Sequence, residues 1–191
     1  MAAERGFELL LTRRNVARLR RRGAREAGRG VTRAMALFHA GVLLACLLEG
    51  EHARVRTPRW LRSGALVALL AAQALRYWAV LTLGERWSIR VLTVPGAPPV
   101  TSGPYRFLRH PNYLAVIVEM AALPVGCGAF RTAALASLGN AVLLTSRIRV
   151  EERALGGAYR AALADRPRLS PVALFARAGE SPRRRHVGRR D

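Results

Sequence analysis

Lysine is missing altogether: all 32 basic residues are arginine, and only 12 acidic residues oppose them. An arginine-only chain reflects codon usage in a GC-rich genome and carries no functional weight. Cysteine is scarce, with only Cys46 and Cys127 present. Both lie in apolar segments and lack the spacing of a metal site or a disulfide framework. No metal is therefore expected, and each cysteine reads as a small core residue. Also missing is a cleavable signal peptide, because the N-terminus is charged and amphipathic rather than an apolar run before a small-residue cleavage site. There are no internal repeats, and 191 residues suit one domain.

The scarcity of acids leaves a formal net charge of +20 and a pI near 11.8. Such a balance can signal nucleic acid. The distribution argues otherwise, because arginines crowd residues 5–33 and 147–190 and thin out between them. With 51% apolar residues, basic ends around apolar segments fit a membrane protein whose partners are the bilayer and its anionic headgroups. No nucleic-acid partner is expected, and nothing fixes an oligomeric state.

Four apolar segments stand out: residues 34–48 (interrupted only by His39), 61–83, 113–130 and 132–146. Several fall short of the roughly 20 residues of a spanning helix. Flanking residues extend them, and terminal arginines can snorkel. The expected fold is all-α: a polytopic membrane protein with about four transmembrane helices, a C-terminal helical hairpin and cytosolic segments, which the resemblance described below implies are cofactor-binding. Pro124, Gly126 and Gly128 predict a kinked or short third helix. Residues 4–27 read as an amphipathic helix in the headgroup plane, 148–163 as a cytosolic helix, and 176–191 as disordered. The domain layout is a basic arm over 1–33, a membrane domain over 34–165 and a basic tail over 166–191. Arginine counts place the 1–33 arm, the 84–112 segment and the tail from Arg147 on the cytoplasmic side of the membrane.

Two polar clusters then fall at one end of the hairpin. The first runs Thr101-Ser102-Gly103-Pro104-Tyr105-Arg106-Phe107-Leu108-Arg109-His110-Pro111-Asn112-Tyr113. Pro111 suits the first turn of a helix, which puts His110 at the N-cap. The free amides and dipole of a helix start favour an anion such as a carboxylate. Tyr105 and Tyr113 offer aromatic faces to an adenine or a cation, or serve as interfacial belt residues. The second cluster is Arg147-Ile148-Arg149-Val150-Glu151-Glu152. Arg147 and Glu151 lie four residues apart on one helix face, while Arg149 and Glu152 are expected to face solvent. Glu119, inside an apolar run, needs a partner; His39, His110, Arg76 and Arg147 are the candidates.

Gly103-Pro104-Tyr105-Arg106, Arg109-His110-Pro111-Asn112-Tyr113 and Arg147-Ile148-Arg149-Val150-Glu151-Glu152-Arg153-Ala154-Leu155 with Tyr159 resemble the motifs of the isoprenylcysteine carboxyl methyltransferase family, itself related to membrane phospholipid methyltransferases. Stretches such as Leu75-Arg76-Tyr77-Trp78 and Thr82-Leu83-Gly84-Glu85-Arg86-Trp87 look like a bacterial branch associated with type III polyketide synthases. Members of that branch often open with a further apolar helix, which this sequence does not show before Glu4. The resemblance implies S-adenosyl-L-methionine as cofactor, held by Ala97, Pro98, Pro99, Val100, Tyr105, His110, Pro111, Asn112, Tyr113 and Glu151. Arg147 would face the acceptor, and Arg147, Glu151 and His110 are the implied catalytic residues. The expected reaction is O-methylation of a lipophilic small-molecule acceptor, an alkylpyrone or phenolic lipid. Carboxyl methylation of an isoprenylcysteine, N-methylation of a phospholipid and a non-catalytic basic membrane protein are the alternatives.

Overall fold

A computed structural model describes residues 2–53 and 57–169, with side chains over 11–50 and 57–169. Five helices carry the fold: α1 (Ala2–Arg21), α2 (Arg29–Ala53), α3 (Arg59–Leu83), α4 (Pro111–Cys127) and α5 (Phe130–Ala162). Two short strands, β1 (Arg25–Ala27) and β2 (Val91–Thr93), form an antiparallel ribbon with Arg25 opposite Thr93 and Ala27 opposite Val91. The ribbon is the one departure from an all-helical architecture among the described residues. It also corrects the expected helix over 4–27, because α1 ends at Arg21 and the chain turns at Gly23 with φ +77°.

α4 is the central element. At 17 residues it is only about 25 Å long, and α3, α5 and α2 pack around it. Its shortness matches the expectation from Pro124. The helix closes at Gly128, whose φ of 80° is left-handed and whose N–H reaches back to Pro124 and Val125 carbonyls, the geometry glycine supplies without strain. Glu49 of α2 caps the start of α5, accepting the N–H groups of Arg131 at 3.0 Å and Thr132 at 2.9 Å. Val42, Cys46, Val116, Met120 and Ala136 form the core between α2, α4 and α5, with Cys46 a packed residue as expected.

Arg29–Gly50 and Arg59–Arg86 are long and apolar enough to cross a bilayer, yet only 17% and 22% of those windows are buried. A soluble core helix would be mostly covered. Here Leu37, Leu44, Leu47, Leu66, Leu70 and Leu81 stand open, joined by Leu135, Leu138 and Val142 of α5. An apolar belt of this extent fits lipid rather than water. Of the four expected spans, α2 and α3 reach spanning length, α4 is apolar but shorter, and the apolar start of α5 continues unbroken into polar sequence. The separate cytosolic helix expected over 148–163 is thus the continuation of α5, bent at Gly156 where φ is 78° and ψ −164°.

α1 does not offer its apolar face to a membrane over the residues whose side chains are described. Thr12, Asn15, Val16 and Leu19 are buried. The amide of Asn15 donates to the carbonyls of Gly84 at 3.1 Å and Trp87 at 2.9 Å. Arg18 and Arg22 pair with Glu85 at 2.5 and 3.1 Å. The basic arm is thereby docked on the 84–93 segment, whose carbonyls reach the site.

Candidate functional site

The hairpin α4–α5 brings the two polar clusters together at one end of the bundle, as expected. His110 is the N-cap of α4 and Pro111 its first residue. The His110 ring is buried and stacks on Tyr113, with centroids 5.2 Å apart and planes at 20°. Tyr159 of α5 closes the other side at 6.3 Å and donates its hydroxyl to the Arg109 carbonyl at 3.1 Å. Beneath lies an apolar floor of Met35, Tyr113, Leu144 and Ile148.

The Tyr113 hydroxyl is the junction between the motifs. It donates to Glu151 Oε2 and accepts from Arg147 Nε at 2.9 Å. Arg147 and Glu151 do share a face, but they meet through Tyr113 rather than as a direct pair. Arg147 is also held by Thr32 Oγ1 at 3.1 Å and by the Ile89 carbonyl. One guanidinium thus joins α2, α4, α5 and the 84–93 segment. Three of its five N–H donors are used in this way, leaving two for a ligand. Glu151 keeps a quarter of its side chain open, at 26% exposure. Its Oε1 lies 3.9 Å from His110 Nδ1. Tyr105 is buried nearby; burial, reinforced by the Glu151 carboxylate, pushes its hydroxyl up and keeps it a neutral donor.

Glu152 corrects an expectation. It faces inward, not solvent: its side chain is 9% exposed, and it lies 3.2 Å from His110 Nε2. Arg168 grips it with two hydrogen bonds, 2.9 and 2.8 Å. The Arg168 guanidinium, with His110 adding to it against the cost of burial, holds the Glu152 carboxyl below its ordinary value. Both members of the Glu151–Glu152 doublet are used because the site wraps α5, with Tyr113 on one flank and the chain reversal after Tyr159 on the other. Arg149 is exposed, as expected.

Residues 166–169, expected to begin a basic tail, are pinned to this site. The Pro167 carbonyl accepts the Arg109 N–H at 3.0 Å and the Arg168 carbonyl the His110 N–H at 3.2 Å. The helix start therefore has less free N–H capacity for an anion than Pro111 alone suggests. The rest of the expected tail, residues 170–191, lies outside the described residues.

Asn112 Oδ1 is buried without a hydrogen-bond partner, one residue from the His110–Tyr113 stack. Residues 97–100 make no hydrogen bond to the cluster among the described residues; the loop is tethered by Arg86 donating to the Pro98 carbonyl at 2.6 Å, and Ala97 and Pro98 are exposed. Glu119 is settled by geometry: Arg76 and Gln73 of α3 bind it, apart from the site. No group of metal ligands occurs among the described residues. Thr32, Ile89 and Arg168 escaped the sequence reading, because a hydroxyl, a carbonyl and a distant arginine carry no motif.

The profile of the isoprenylcysteine carboxyl methyltransferase family matches residues 65–157, which include both polar clusters and the hairpin between them. Two relatives extend the likeness over most of the chain. The uncharacterized protein YpbQ of Bacillus subtilis (strain 168) is 34% identical over 155 residues, 81% of this chain and 92% of its own length. An uncharacterized protein of Haemophilus influenzae is 26% identical over 154 residues, 80% of this chain and 89% of its own. The chain belongs to the isoprenylcysteine carboxyl methyltransferase family, whose members are membrane methyltransferases that typically use S-adenosyl-L-methionine.

Proposed function

We propose that this chain is an S-adenosyl-L-methionine-dependent O-methyltransferase acting on a lipophilic hydroxyl, with an alkylpyrone or phenolic lipid as acceptor. The observation that carries the reading is the convergence of Glu151, Tyr113 and His110 at the start of α4, where a partly open carboxylate meets a buried aromatic stack. Acceptor atoms at Glu151 and the unpartnered Asn112 Oδ1 suit the ammonium, ribose hydroxyls and adenine amine of the cofactor. When bound, S-adenosyl-L-methionine supplies a methyl already activated by its sulfonium.

The chain's own residues are left to position, exclude water and manage a proton. His110 and Glu151 are the groups that can take a proton from the acceptor hydroxyl. The two free donors of Arg147 suit the developing oxygen anion. That preference favours a hydroxyl over a phospholipid amine, which an arginine would repel. Exposed arginines at the site end, including Arg13, Arg14, Arg21, Arg25 and Arg33, support a cytoplasmic orientation in a bacterial membrane with anionic headgroups against that face.

The test is radiolabelled methyl transfer by the detergent-purified protein to a panel of alkylpyrones, alkylresorcinols, a prenylated cysteine and phosphatidylethanolamine. Transfer to the first two classes, abolished in Glu151→Ala, is expected. Transfer to none of them, or undiminished transfer in both Glu151→Ala and Arg147→Ala, overturns the reading.

A further inference from the structure

We infer that Glu152 is a positioning residue that, with Arg168, fixes His110 in the tautomer carrying its proton on Nε2 and presenting the Nδ1 lone pair to the acceptor. The inference rests on the methyl-transfer reading above and chooses His110 over Glu151 as the proton acceptor.

Glu152 is enclosed by cations. Arg168 binds both of its oxygens, at 2.9 and 2.8 Å, and Arg109 Nη1 stands 4.0 Å from Oε1. A carboxylate held this way is ionised and can only accept. Its 3.2 Å contact with His110 Nε2 then requires the hydrogen to sit on Nε2. A neutral imidazole so protonated has its lone pair on Nδ1.

No hydrogen-bond donor reaches Nδ1 among the described residues. Glu151 Oε1, on a side chain 26% exposed, faces it at 3.9 Å, beyond hydrogen-bond range and itself an acceptor. The other Glu151 oxygen already takes the Tyr113 hydroxyl. Two acceptors facing across a gap call for a ligand group that donates, and an acceptor hydroxyl is such a group. Its proton passes to Nδ1, the oxygen keeps the electron pair, and the resulting imidazolium is neutralised by Glu152. Tyr113 and Tyr159 flank the ring without charge, and Arg147 reaches it only through Tyr113.

Arg168 is delivered by a dedicated chain reversal. The Arg109 guanidinium holds the carbonyls of Arg166 at 2.8 Å and Ala164 at 2.9 Å. Leu163 is fully buried, and Leu169 packs on the Met35–Leu144 floor. The Arg168 side chain is 60% exposed, but its backbone is held in place at these points, so the guanidinium is presented to Glu152 from a fixed turn.

The test uses the full chain, labelled with 15N-histidine in detergent micelles, with the His110 signals assigned by their loss in His110→Gln. The 15N shifts are expected to report a protonated Nε2 and a bare Nδ1 in the wild type. Glu152→Gln, whose amide can present either end to the ring, is expected to mix the tautomers, and Glu152→Asp to restore the original one. In methyl-transfer assays Glu152→Gln should lower kcat roughly 10- to 100-fold, a share of what general-base catalysis contributes, with the cofactor KM within about twofold. A proton on Nδ1 in the wild type, or an unchanged tautomer in Glu152→Gln, overturns the inference. So does a loss confined to cofactor KM. If the protein transfers no methyl group, the spectra still decide the tautomer, so the two readings fail separately.

Discussion

Glu119 of α4 and Arg76 of α3 form a buried ion pair in the middle of the bundle, with side chains 0% and 3% exposed and Arg76 Nε 3.0 Å from Oε1. Gln73 adds a second donor at 3.0 Å. The pair lies away from the His110 cluster and clamps the helix that carries it.

Removing one partner of such a pair leaves an uncompensated buried charge, which costs about 3–5 kcal/mol. Arg76→Ala is therefore expected to lower the unfolding midpoint of the purified protein sharply. The paired change Arg76→Met with Glu119→Leu should recover most of it, because the charge and its counterion go together. Denaturation in mixed micelles measures both, and a double variant no better than Arg76→Ala would refute the coupling.

How the chain reads from sequence follows the same division. The pairing of Arg109-His110-Pro111-Asn112-Tyr113 with Arg147 and Glu151 is legible, since proline marks a helix start and two apolar runs divided at Phe130-Arg131 predict a hairpin. The short third helix is legible from Pro124 for the same local reason. The contacts across the bundle are not. Glu119 had four candidate partners, and only helix rotation selects Arg76. Glu152 was misjudged because helical periodicity puts it about 100° from Glu151, and no local signal says that residues 163–168 fold back to cover that flank. The β1–β2 ribbon depends on Arg25–Ala27 meeting Val91–Thr93 some sixty residues later, a pairing that three-residue strands do not advertise.

Gly156 directs that fold-back. Its φ of 78° and ψ of −164° lie where a side chain is strained, at about 1–3 kcal/mol, while Gly157 has no positive φ and open space for a Cβ. Gly156→Ala is expected to loosen Arg168 from Glu152 and to lower both thermal stability and methyl transfer. Gly157→Ala should leave both near wild type. Equal behaviour of the two variants would remove Gly156 from this role.

The Arg168–Glu152 contact sets a pH dependence. The Glu152 carboxyl is held below its ordinary value of 4.5 chiefly by Arg168. Folding therefore gains stability from the ionised form above that value and loses it as pH falls through the lowered one. Thermal midpoints of wild type and Glu152→Gln should differ at pH 6–7 and converge as the pH falls below about 4. A gap that persists undiminished into acid would mean that packing, not charge, accounts for the difference.

The apolar start of α5 is where membrane and aqueous readings part. Leu138 is 69% exposed, about two turns beyond the buried Thr132 at the start of α5, and it is exposed like Leu44 and Leu47 of α2 and Leu66 and Leu70 of α3. An arginine at the centre of a spanning helix costs about 2.5–3.5 kcal/mol in insertion, whereas on a water-facing surface it is nearly neutral. Leu138→Arg is therefore expected to lower the fraction of protein recovered in membranes after alkaline extraction. Ala161→Arg, exposed beyond Gly156, should not. Full membrane recovery of Leu138→Arg would place this half of α5 outside the hydrocarbon and leave α2 and α3 as the helices that anchor the chain.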